Sequence, residues 1–131
     1  MPLTPDGDLC ERWRQLMACY HDVSCALERA LSQRHGLGVS EFETLDLLVK
    51  SPRGKQFVHE LHSGLHLSQS ALSRTVARLE KRGLVTRAMC ANDRRAVSVT
   101  PTEEGRRLHA EAAPTHTAVL TEHLGELQPQ A

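Results

Sequence analysis

Aromatic side chains are nearly missing from this sequence: Trp13, Tyr20, Phe42 and Phe57 are all it has in 131 residues, 3% of the chain. A core so poor in rings must be built from Leu, Val and Ala, which suits packed helices better than sheets. Long apolar runs are missing too, and none approaches the roughly 20 residues that a membrane helix needs. The opening Met1-Pro2-Leu3-Thr4-Pro5-Asp6-Gly7-Asp8 has neither the basic start nor the apolar stretch of an export signal, so a cytoplasmic protein without membrane association is expected. The four cysteines, Cys10, Cys19, Cys25 and Cys90, form no C-x-x-C pair, and no disulfide framework is expected. No nucleophile, base and oxyanion donors converge in the pattern, which argues against an enzyme, and nothing calls for a cofactor.

Net charge is also absent, but only on average. Residues 1–50 hold five Lys/Arg against eight Asp/Glu, and residues 108–131 hold three acids and no Lys or Arg. Between them, residues 68–95 hold seven Lys/Arg against two Asp/Glu. A basic centre between acidic ends points to a face that binds a polyanion.

The length allows one domain, 1–131. Leu9, Trp13, Leu16, Tyr20, Val23, Leu27 and Ala30 alternate in steps of four and three, which predicts a helix with a heptad-like seam. Asp6 or Asp8 caps it and Gly36 and Gly38 end it. One neighbour cannot cover so long a stripe, so a partner chain is expected. Ser40 and Glu43 form a capping-box pattern for a second helix with Phe42, Leu45, Leu48 and Val49 on its apolar face, broken by Ser51-Pro52-Arg53-Gly54. Phe57, Val58, Leu61 and Leu65 carry a short third helix. Ser68 caps a fourth, whose buried stripe is Leu72, Val76 and Leu79 and which ends at Gly83. Short helix, tight turn and polar-faced helix make a helix-turn-helix. A hairpin follows, with strands at 85–89 and 96–99 and a polar tip Asn92-Asp93-Arg94-Arg95. Thr102 then caps a last helix that runs toward Leu127, with a kink expected at Pro114. The expected fold is mainly α with a small β-hairpin wing: a winged helix-turn-helix over 40–100, flanked by dimerisation helices at 1–36 and 102–131.

With Leu72, Val76 and Leu79 inside, Gln69, Ser70, Ser73 and Arg74 share an exposed face near the start of the fourth helix. Gln matches adenine, Arg matches guanine, and Ser can bond to either, so these residues are candidates to read base edges, with Ser68 beside them. Arg78, Lys81 and Arg82 are placed to meet phosphates. Arg94 and Arg95 at a narrow tip suit the minor groove, while Asp93 is expected to hold an arginine, with Arg87 across the hairpin as a second candidate partner. The alternative, a merely solvated helix face, leaves the turn, the hairpin and the local charge unexplained. A winged helix can also serve as a protein-interaction module, but a face for that purpose would be more apolar.

Three segments resemble the MarR family of winged-helix regulators: Leu67-Ser68-Gln69-Ser70-Ala71-Leu72-Ser73-Arg74, Leu79-Glu80-Lys81-Arg82-Gly83-Leu84-Val85, and Asp93-Arg94-Arg95 through Gly105-Arg106. The resemblance implies a transcriptional regulator, most simply a repressor, that binds double-stranded DNA at a palindromic operator as a homodimer. It makes Arg95 the minor-groove residue, oriented by Asp93. Pro101 departs from the family pattern, which usually has an apolar residue there. The resemblance also implies a small aromatic or phenolic effector in a pocket, for which Trp13, Tyr20, His21 and Phe42 are candidates; the alternative makes Trp13 and Tyr20 seam residues. Regulators of the same fold that respond to thiol oxidation or to metal are the competing readings. Cys19 lies one turn beyond the position of the sensing thiol in some relatives, and buried, inert cysteines are expected instead. His109, His116 and His123 recur every seven residues, too far apart to share a metal without Cys25, Glu28 or His35, so a half-buried dimer flank is expected and no metal.

Overall fold

The computed structural model describes residues 5–125 apart from Ala91 and Asn92, and of residues 5, 6, 90 and 93–95 the backbone alone. The element order is α1 (Pro5–His35), α2 (Val39–Lys50), β1 (Gln56–Phe57), α3 (Val58–Gly64), α4 (Gln69–Lys81), β2 (Val85–Cys90), β3 (Asp93–Pro101) and α5 (Glu103–Leu124). The mainly helical fold is what the composition leads one to expect, and the small wing is what the hairpin pattern after α4 predicts. Among the described residues, no helix is long and apolar enough to cross a membrane.

The core lies where α2, α3, α4 and the wing meet the ends of α1 and α5. Leu31, Leu37, Leu45, Leu48, Leu61, Leu79 and Val99 are fully buried there. Each buried Leu contributes roughly 1.5–3 kcal/mol, so the small number of rings is made up by many aliphatic side chains. Phe42 is the aromatic centre of this core, with 1% of its surface exposed.

Several local expectations need correction. The first helix begins at Pro5, before Asp8, because proline suits a first helical turn whose amide needs no partner. The second starts one turn before Glu43: Gly38 is its extended cap and the Glu41 carboxylate accepts from the Gly38 amide at 2.8 Å, leaving Ser40 inside the helix. Phe57 belongs to a strand rather than to the third helix. Gln56 and Phe57 pair with Val99 and Ser98, which makes the wing a three-stranded antiparallel sheet in the order β1-β3-β2. The strands of the hairpin run further than expected, since Cys90 pairs with Asp93 and Val85 with Pro101. Asp93, Arg94 and Arg95 therefore lie on the backbone of β3, not in a turn. Pro101 closes that strand, Pro114 lies inside α5, and the expected end of that helix at Leu127 falls outside the described residues.

The junction into α5 is tight. Thr102 caps the helix by accepting from the Gly105 amide at 3.0 Å, while its hydroxyl donates to the Gly83 carbonyl at 2.7 Å. The Thr102 amide donates to the Leu84 carbonyl at 3.0 Å. These bonds tie the first turn of α5 onto the chain leaving α4.

Candidate nucleic-acid interface

The Ser68 hydroxyl accepts from the Ala71 amide at 3.1 Å, starting α4 after the turn Leu65-His66-Leu67. Leu72, Thr75, Val76 and Leu79 are buried, and Thr75 satisfies its hydroxyl on the Ala71 carbonyl at 2.9 Å. The opposite side exposes Gln69, Ser70, Ser73, Arg74, Arg78 and Lys81. The structure thus brings together the residues that the sequence placed on one face. Arg74 and Lys81 make no ion pair or hydrogen bond among the described residues, and Arg78 donates only to Thr75, at 3.2 Å.

Two arginines fall outside this group. Arg82 donates through Nη1 to the Gly36 carbonyl at 2.8 Å and to Glu41 Oε2 at 3.3 Å, so its guanidinium is already bonded within the chain. Arg87 pairs with Glu80 at the end of α4, Nη2 to Oε1 at 2.8 Å. Glu80 and Arg87 flank the turn from α4 into β2, and the backbone of Asp93 pairs with Cys90 further along the wing. The side chains of Asp93, Arg94 and Arg95 lie outside the described residues.

The effector candidates divide. Trp13, Tyr20 and His21 line an apolar concavity of about 740 Å³ with Leu16, Met17 and His66. Phe42 is not part of it; it is buried and stacked on His109 at 5.2 Å and on His116 at 4.5 Å between centroids. A neighbouring cleft of about 460 Å³ is lined by Tyr20, Ser24, Glu28, Ser40, Glu43 and His66. Desolvation and the nearby Asp46 push the Glu43 carboxyl above its usual pKa.

The expectation of buried cysteines is overturned: Cys10 and Cys25 are exposed and Cys19 is partly so, because their side of α1 faces solvent in the chain. Cys25 Sγ sits 3.6 Å from His21 Nε2. Cys90 is outside the residues whose side chains are described. Among the described residues no three His, Cys, Asp or Glu side chains gather as metal ligands.

The histidine stripe packs inward more than the sequence suggested. His109 is buried and bonds to Asp46 Oδ1 at 2.8 Å, and His35 meets the Thr115 hydroxyl at 2.8 Å. Burial alone would raise the Asp46 carboxyl, but the bonds from His109 and Lys50 prevail and hold it below the usual value. Burial also lowers the half-buried His116 ring, against the opposing pull of Asp46. The folded state therefore takes up a proton at His116 less readily than the unfolded chain. Stability should fall as pH drops from about 6.5 toward the lowered folded value, because only the unfolded chain gains protons there. The Asp46 contribution is kept above about pH 3.8 and is lost only as pH falls through its own lower value. Thermal melts from pH 7 to 5 should show a drop that His116→Phe removes; an unchanged slope in the variant would assign the drop elsewhere.

Comparison with known proteins places this geometry in context. A sequence profile of the MarR family matches residues 35–96. The crystal structure of AbsC, a MarR family transcriptional regulator from Streptomyces coelicolor, is 29% identical, with 98% of this chain and 86% of that one covered and a TM-score of 0.83. Sco3205, a MarR family transcriptional regulator of the same organism solved in complex with DNA, is 29% identical over 98% of this chain and 79% of that one, with a TM-score of 0.85. BpsR of Bordetella bronchiseptica, whose DNA binding is regulated by 6-hydroxynicotinic acid, shares the fold at 23% identity over 91% and 88%, with a TM-score of 0.80.

Proposed function

We propose that this chain is a DNA-binding transcriptional regulator of the MarR family and not an enzyme, and that it acts as a homodimeric repressor of a palindromic operator, released by a small aromatic effector. The observation that carries the DNA half of this reading is the exposed face of α4. Gln69, Ser70, Ser73 and Arg74 sit at its start with Ser68, and Arg78 and Lys81 follow, opposite the buried Leu72, Thr75, Val76 and Leu79. In this reading α4 enters the major groove, Gln69, Ser70, Ser73 and Arg74 meet base edges, and Arg78 and Lys81 meet phosphates. Arg94 and Arg95 reach the minor groove from the wing, with Asp93 orienting Arg95. Residues 40–100 form the DNA-binding body, and 1–36 with 102–131 form the dimerisation part.

Arg74→Ala should cost roughly 1–3 kcal/mol and relax base preference, since it removes a base-edge contact. Lys81→Ala should weaken binding to all sequences alike and lower the salt slope by about one. Selection from a random DNA library, followed by mobility-shift titration with Arg95→Ala in the same set, checks both. Unchanged base preference in Arg74→Ala would remove α4 from the groove.

The apolar concavity against Trp13, Tyr20 and His21 supports the effector half, as it borders His66 in the turn before α4. In the dimer such a ligand would lie at the edge of the α1 seam, between that seam and His66, and would press on the start of the recognition helix. Release of bound operator by a panel of hydroxylated aromatic acids tests it; indifference to the whole panel would count against this ligand class.

A further inference from the structure

Residues 36–38 form the joint between the long α1 and the DNA-binding body. Gly36 takes φ +66°, a left-handed conformation that closes α1, with its amide on the Ser32 carbonyl at 3.0 Å and the Leu37 amide on the Leu31 carbonyl at 3.3 Å. Leu37 is fully buried and Gly38 is the cap of α2. Three charged side chains converge on this joint. Glu28 of α1 accepts from the Val39 amide at 3.3 Å, and Glu41 of α2 accepts from the Gly38 amide at 2.8 Å. Arg82, at the C-cap of α4, reaches across 46 residues of sequence to the Gly36 carbonyl at 2.8 Å and meets Glu41 at 3.3 Å.

We propose that Arg82 and Glu41 form a strut that fixes the orientation of α4 relative to α1, so that Arg82 acts as a positioning residue for DNA binding and not as a phosphate contact. The inference rests on the reading of α4 as the groove-entering helix of a dimer.

The physical reason is the position of the bond. Two recognition helices must meet grooves about 34 Å apart, and α1 is the element that links each body to its partner. A small rotation at residues 36–38 swings the whole of α4. Glu41 has only 11% of its side chain exposed, so its carboxylate is held in place by the Gly38 amide and presents a fixed anchor to the guanidinium. The carbonyl of Gly36 adds a second anchor on the other side of the joint. Without the strut, α4 samples a wider range of orientations, and DNA binding must select the competent one, which lowers apparent affinity in proportion to its population.

Three readouts separate a strut from a phosphate contact. Arg82→Ala should weaken operator binding about ten-fold with the salt slope unchanged, since no phosphate contact is lost. Glu41→Gln keeps an oxygen for the Gly38 amide, and it removes a negative charge that on simple electrostatics repels DNA. It should nevertheless weaken binding about ten-fold, and the double variant should be no weaker than the worse single one. Inserting one base pair between the operator half-sites should penalise both variants less than the parent protein. Binding by Glu41→Gln as tight as or tighter than the parent, with a slope lowered by about one in Arg82→Ala, would make Arg82 a phosphate contact and overturn the strut. Should Arg82→Ala fail to fold, Glu41→Gln alone decides by the same criterion. Failure of the underlying reading appears separately, as full affinity in Arg74→Ala, and takes the strut with it.

Discussion

Leu16→Asp is expected to turn the protein into a monomer and to lower operator affinity by two orders of magnitude or more. The first half of α1 presents Leu9, Trp13, Leu16, Met17 and Tyr20 to solvent, with Leu16 62% and Tyr20 73% exposed, while Val23, Leu27 and Leu31 further along are buried in the chain. A contiguous apolar stripe of this size on a small protein marks an interface. In a two-fold dimer the same stripe meets its own copy, so each substitution is felt twice. An aspartate at the centre of such a seam loses its hydration without gaining a partner. The DNA loss then follows from losing the second binding body, whose effective concentration is worth roughly 10²–10⁴. Because Leu16 packs against nothing essential within one chain, helix content should persist. Sedimentation at micromolar concentration decides it: a variant still dimeric would move the interface off this stripe, and a monomeric parent protein would remove it.

The second large effect is on folding. A side-chain carbon added at Gly105 would lie 2.1 Å from the Leu84 carbonyl oxygen and 3.1 Å from its carbon. Real carbon atoms do not approach so closely, and the obstacle is backbone, already tied to Thr102 on one side of the junction. Relief requires α5 to lift off the chain that leaves α4, which opens the core beside Leu45. Gly105→Ala should therefore cost about 3 kcal/mol or more, in spite of the better helix propensity of alanine. Gly125→Ala is the internal control. It is exposed at the end of α5 and its nearest neighbour would be 4.0 Å away, so stability should stay level or rise by a few tenths of a kcal/mol. Chemical denaturation of the two variants checks the contrast. Equal stabilities would mean that the junction is soft.

Much of the architecture was legible because it depends on neighbours in sequence. The four-and-three spacing from Leu9 to Ala30, the cap at Ser68, the stripe Leu72–Val76–Leu79 and the cap at Thr102 are local signals, and each produced the expected element. The short strand at Gln56–Phe57 was not legible, since two residues carry no periodicity and their bonds go to Val99 and Ser98 some forty positions away. Glu41 was passed over for Glu43 because both fit a capping spacing, and only the extended backbone at Gly38 chooses between them. The tight contact at Gly105 gave no signal beyond the glycine itself.

The sequence by itself determined the helical composition, the position of the recognition helix, its polar leading face and the surplus of basic charge around it. These follow from periodicity, capping and charge, which act over a turn or two. Tertiary structure alone decided which basic side chains stay free. Arg74 and Lys81 remain unpaired among the described residues, whereas Arg82 is taken by Gly36 and Glu41, and Arg87 by Glu80. It also sent Phe42 into the core between two histidines instead of into a pocket. A guanidinium or a ring has the same identity in either place; its role is set by which distant atoms the folded backbone brings within about 3 to 5 Å, and that distance is not written in local pattern.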